Sequence, residues 1–249
     1  SKAQKLGKLI FDFFEKTKDL LAPDGIIPHA FDQKRAVKLL IDWVEGNAIK
    51  PKKKVDLPRG LYLPLWTFDV GGSIEYTYEI GNNEENSYGE KPTRQRITDQ
   101  YPVMVDDLPL PASRKLSAVF LKLIPSFDMK AARPYDPRFL ASWPAEIYDV
   151  PMADASLDAR SQTYKDYKKK LPHFLNGMNL VHTSSAKLVV ESFKLVLLPV
   201  WLTELPFDGR GHLVLINGQS GVVAGDLPEK DEESDADGLF SFLSDLLEE

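Results

Sequence analysis

Phe193-Lys-Leu-Val-Leu-Leu-Pro-Val-Trp201, followed by Leu215-Ile-Asn-Gly-Gln-Ser-Gly-Val-Val223, is the stretch on which the fold turns. The first segment is apolar almost throughout, as a buried strand should be, and Pro199 makes it a poor helix. In the second, Asn217-Gly218 predicts a tight hairpin turn with positive φ angles. Leu198-Pro-Val-Trp201 also echoes Leu63-Pro-Leu-Trp66 far upstream. Proline cannot donate to a sheet ladder, so Pro64 and Pro199 predict strands that are edge, bulged or bent at those points. Two such segments suggest pseudo-symmetric halves.

Strand patterns extend outward from these motifs. Residues 61–70 and 73–80 read as strands joined by Gly71-Gly72, a two-residue hairpin signal. Ile74-Glu-Tyr-Thr-Tyr-Glu-Ile80 alternates, which predicts one packed and one wet face. Residues 81–99 read as a long polar loop, 101–105 as a strand, and 179–190, 192–205, 210–216 and 221–225 as further strands. Helical spacing marks 3–22, 32–45 with Asp32 as its cap, 113–124, and 153–170 anchored by Tyr164 and Tyr167. Residues 125–151, rich in proline and aromatics, predict an ordered loop across the core. The expected class is α+β: bent antiparallel sheets with pseudo-repeated strand-Pro-Trp halves, flanking helices and an acidic C-terminal tail. Three regions follow: an N-terminal amphipathic helix at 1–24, an α+β core at 25–228, and a flexible acidic tail at 229–249.

A chain of 249 residues with 43% hydrophobic and 27% charged side chains has ample material for a core. The net charge of −6 argues against wrapping nucleic acid by bulk electrostatics. Without cysteine there is no disulfide, iron–sulfur cluster or thiolate zinc site within this chain, which fits a reducing compartment. No apolar run reaches the roughly 18 residues of a membrane span.

Three blocks carry a resemblance: Gly60-Leu-Tyr-Leu-Pro-Leu-Trp-Thr-Phe-Asp69, Tyr135-Asp-Pro-Arg-Phe-Leu-Ala-Ser-Trp-Pro-Ala-Glu-Ile-Tyr148, and Leu197-Leu-Pro-Val-Trp201 with Val214-Leu-Ile-Asn-Gly-Gln-Ser-Gly-Val-Val-Ala-Gly225. In this order they resemble a mostly uncharacterised bacterial family. Its members usually begin with a transcription-factor-type zinc ribbon and are sometimes labelled helicase-like. The similarity spans about residues 26–228, the cysteine-free part of such proteins. It implies no metal site here, because the family's zinc-binding cysteines have no counterpart. It implies no helicase either, since no Gly-x-x-x-x-Gly-Lys-Ser/Thr loop occurs. Some members work beside membrane-associated stress and band-7-type proteins, which implies an adaptor.

The candidate sites are weighed on the residues. His29, His173, His182 and His212 are scattered without metal-ligand spacing and read as surface or structural groups. Glu146 and Asp149, with Asp69, are the acids nearest the motifs. They would serve acid–base chemistry, or else hold the 125–151 loop through Arg133, Arg138 or backbone N–H groups. Trp66, Trp143 and Trp201 read as core rather than as a ligand pocket. Lys50–Lys54 with Lys168–Lys170 form a candidate basic patch, although charge runs are usually solvated faces. Gly209-Arg-Gly211 and Gly221–Gly225 read as turns and not as phosphate cradles.

The tail is the main candidate for partner binding. Leu239, Phe240, Phe242, Leu243, Leu246 and Leu247 fall at helical spacing behind an acidic run, as in a tethered docking helix; the alternative is that it folds back on its own domain. Phe13 and Phe14 offer a second contact at the other end. The expectation is a cytoplasmic, non-enzymatic adaptor without cofactor or metal, bound to a protein partner and peripherally to a membrane complex through it. The rival readings are a nucleic-acid-associated factor and a hydrolase-like enzyme using Glu146 and Asp149.

Overall fold

The computed structural model describes residues 21–49, 55–81, 94–114, 118–174, 179–207 and 210–225. Within them one sheet holds β1 (Gly25–Ile26), β2 (Arg59–Gly81), β3 (Arg94–Pro111), β4 (Arg133–Pro134), β5 (Asn179–Phe207), β6 (Arg210–Asn217) and β7 (Val223–Gly225). The α-helices among the described residues are α1 (Gln33–Gly46), α2 (Ala118–Leu123) and α3 (Met152–Phe174). The class is α+β.

β5 is the spine. One of its edges pairs antiparallel with β2 from Arg59↔Leu202 to Glu79↔Asn179. Its other edge pairs in parallel with β1 at Val196 and Leu197, then antiparallel with β6 from Val200 onward. β3 lies outside β2, and β7 outside β6.

The run 195–201 is apolar without alternation because both of its faces are covered. Val196, Leu198 and Val200 pack with Val119, Phe120 and Leu123 of α2. Leu195, Leu197 and Trp201 face the other side, under α3, the 135–145 loop and α1 respectively. Beyond Asp69 the three long strands continue as an arm on which one face is packed. Ile74, Val103 and Leu188 lie against Leu171, Tyr164 and Tyr167 of α3. On the opposite face Glu79 pairs with Arg94 and Arg96, and Glu75 with Lys187. The alternation predicted for 74–80 holds at Ile74, Glu75 and Tyr76 and fades at the end of the segment, where Ile80 is 44% exposed.

The helices form where local periodicity placed them. Asp32 caps α1 by accepting from the Arg35 N–H, and Ala36, Val37, Leu40 and Val44 are its buried stripe. α3 runs four residues past the predicted end. Tyr164 holds it to β5 by a 2.6 Å hydroxyl contact with Thr183, while buried Ala155 and Ala159 let it lie close over Trp66 and Phe68. α2 is shorter than 113–124, covering 118–123.

Several strand predictions are corrected by the ladders. Gly71-Gly72 is no hairpin: β2 runs straight through it, flanked by Met104 and Val103 on one side and Val189 and Leu188 on the other. Gly72 is needed because it has φ +114 with the Lys187 carbonyl in the space a Cβ would take, whereas only the movable carboxylate end of Glu191 lies over Gly71. Residues 94–99 of the expected loop belong to β3. The expected break between 190 and 192 is a bulge at Glu191 within one 29-residue strand.

At Asn217-Gly218 the positive φ belongs to Gly221, at +82, and not to either predicted residue. Asn217 instead uses its side-chain oxygen to accept from the Gln219 and Ser220 N–H groups. Nor do Pro64 and Pro199 mark bulges, since the ladder slips at Asp69/Val70, Ser73/Glu75 and Thr77/Tyr78. Phe13 and Phe14, and the tail with Leu239, Phe240, Phe242, Leu243, Leu246 and Leu247, lie outside the described residues.

Candidate functional site

The two motif tryptophans are both fully buried and have different surroundings. Trp66, on the α3 side of β2, donates its indole N–H to the Val150 carbonyl at 3.0 Å and meets Tyr148 edge-on at 5.4 Å. Trp201 lies in a cluster with Trp143 at 4.9 Å and His29 at 5.0 Å, and its indole N–H has no partner.

His29 is the residue whose spacing gave no signal. It follows β1 and the Ile27-Pro28 step, and the sheet carries it against Tyr62, Trp143 and Trp201. Neither ring nitrogen reaches solvent or makes a hydrogen bond of regular geometry. Burial pushes its pKa down to about 4, opposed by the neighbouring Leu61 backbone. Two glycines close the cluster. A Cβ on Gly218 would sit 2.6 Å from the imidazole Nδ1, and one on Gly60 would sit 2.7 Å from the Trp143 ring. His182 and His212 are held in β5 and β6, opposite Thr77 and Leu205. Among the described residues no three His, Asp or Glu side chains gather as metal ligands.

Of the candidate acids, Asp149 and Asp69 hold irregular backbone through their carboxylates. Asp149 accepts from the Arg114 N–H at 2.7 Å while its own N–H donates to the Ala112 carbonyl. The Glu146 N–H donates to the Tyr62 carbonyl at 2.9 Å, beside the Tyr62↔Ala145 bridge. For Asp149 the backbone N–H alternative therefore holds, supplied by Arg114, and Arg138 pairs with Asp136. Asp69 accepts from the Asp107 N–H at 2.9 Å and from the Ser192 hydroxyl. Those two bonds, with Lys194 adding to them, hold its carboxyl below the usual range against a small cost of burial.

Two surfaces remain. A groove of mixed charge lies between Asp56, Arg59, Glu204 and Leu213. On the open face of the arm, Met104 and Val189 flank Gly71 at 77% and 52% exposure, an apolar spot in a polar field. Of the candidate basic patch, Lys168 and Lys170 lie over Tyr164 and Tyr167 on α3, whereas 50–54 fall outside the described residues.

The chain is similar to a bacterial protein. That relative, from Bacillus subtilis (strain 168), is described as "Uncharacterized protein YdjG"; it is 21% identical over 222 residues, 84% of this chain. The chain spans 64% of the relative's length. No protein-family model matches the chain. No solved structure matches it either.

Proposed function

We propose that this chain is a non-enzymatic interaction module: a cytoplasmic adaptor that holds protein partners through its terminal segments. The observation that carries the reading is how the candidate acids are used. Asp149 and Asp69 each accept hydrogen bonds from the backbone or side chains of their own fold, and the Glu146 backbone N–H bonds to the Tyr62 carbonyl beside the Tyr62↔Ala145 bridge. Trp66 and Trp201 fill the core. These roles support a scaffold, and they leave recognition to the Leu and Phe anchors that follow the acidic run.

No helix among the described residues is long and apolar enough to cross a membrane, which fits attachment to a membrane complex through a partner. The test is a native pull-down with the full chain and with residues 229–249 deleted. The deletion is expected to leave the thermal midpoint unchanged and to remove the partner recovered with the full chain, a loss reproduced by Phe240→Ala with Phe242→Ala. Equal recovery by all three proteins would overturn the reading.

A further inference from the structure

The His29 cluster joins four segments that are remote in sequence. From β2 come Leu61 and Tyr62, from the 135–145 loop Trp143, from β5 Pro199 and Trp201, and from the turn after β6 Gly218. The chain around His29 is fastened there by two backbone bonds: the Ile27 N–H donates to the Leu197 carbonyl, and the Ala30 N–H to the Gly218 carbonyl. An imidazole usually settles a buried position by a hydrogen bond through at least one nitrogen. Here both nitrogens are buried, and neither makes a hydrogen bond of regular geometry. The neutral ring fits, with the Leu61 backbone beside it to favour one N–H; an imidazolium would bring a full charge and a second N–H into a site that burial holds against it.

The groups facing the ring offer no countercharge. Tyr62 is the titratable one among them, and burial raises its pKa above the usual phenol range, so it stays neutral while the imidazole titrates. On the histidine's own segment, Asp32 is occupied as the α1 cap and Arg35 lies over the Phe31 ring. The Trp143 and Trp201 rings meet the imidazole tilted and edge-on, so their attraction for a cation offsets only part of the loss of hydration.

We propose that His29 is an acid-sensitive latch, whose protonation releases the 27–32 segment and uncovers Trp143 and Trp201 while the α3-covered arm stays folded. The direction follows from linkage. The closed form binds the proton more weakly than an open chain, so closure is complete above the ordinary value of 6.5 and weakens as pH falls towards about 4. Between those limits opening gains about tenfold per pH unit. Trp66 is an internal reference, because it lies under α3 with its indole bonded to Val150, apart from the His29 cluster.

The test is an NMR titration of the full chain from pH 7.5 to pH 4, following the four indole N–H signals and the His29 ring. The Trp143 and Trp201 signals are expected to move together with the His29 titration, and amides of 27–32 to lose exchange protection, while Trp66 holds its position. His29→Phe is expected to abolish the movement. Should that variant not fold, the wild-type ring titration and the neutral His29→Gln variant answer the same question. Persistence of the transition without an imidazole would overturn the proposal. So would Trp143 and Trp201 signals that stay still, or Trp66 moving at the same midpoint.

Discussion

Asp69 stands where two ladders slip at once. Beside it β3 inserts Asp106 and Asp107, and β5 inserts Glu191. Asp107 has φ 51, and the Asp69 carboxylate accepts its N–H. Asp69→Ala should cost about 0.5–1.5 kcal/mol in urea denaturation, the usual net contribution of a hydrogen bond whose exposed donor can turn to water, and Asp69→Asn less, because one acceptor oxygen survives. Its folded pKa is depressed, so this contribution is present above the ordinary 3.8 and disappears as pH falls through the lower folded value. Gly72→Ala should cost more than about 2 kcal/mol, since it strains a positive φ and meets the Lys187 carbonyl. The same denaturation midpoints check it. Asp69 was legible as an acid near a motif, but its work was not, because a bulge is defined by partners 38 and 123 positions away. His29 was hidden for a related reason: its neighbours come from four distant segments.

Pro64 and Pro199 show how the strands manage to be both long and central. The Pro64 carbonyl accepts from Ala112, on the edge where β2 exchanges the 144–146 loop for β3. The Pro199 carbonyl accepts from Gly218, on the edge where β5 exchanges β1 for β6. Each missing N–H thus falls in the gap between two successive neighbours, and no bulge is required. The motifs face each other across the Leu63↔Leu198 pair, which gives their sequence echo a local meaning. Pro64→Ala and Pro199→Ala are expected to shift stability by no more than about 1 kcal/mol. Leu63→Pro removes an N–H directed at β5 and should cost about 3 kcal/mol or more, as judged by thermal unfolding. Helices α1 and α3 were readable because capping and periodicity are local. Merging 61–70 with 73–80 was not readable, since Gly-Gly serves a turn and a crowded strand equally well and only flanking strands decide.

At the scale of the molecule, the sheet centre is covered on both faces and the arm on one. Exchange of backbone amides should therefore be slowest at 61–68 and 195–201 and faster at 76–81 and 94–100, with protection rising as buried apolar area rises. Hydrogen exchange with mass spectrometry checks this; uniform protection along β2 would contradict it. The α+β class was accessible from hairpin-like strand runs beside helices, yet the parallel β1–β5 step was not, since two residues carry no pattern. The spine also has a consequence for how the protein is made. Leu63 is translated 135 residues before its partner Leu198. At about 5–20 residues per second, β2 waits roughly 7–27 s for the strand that completes it. During that interval Tyr62, Leu65, Trp66 and Phe68 are without their final cover, so a nascent chain stalled before β5 should be a preferred client of ribosome-associated chaperones.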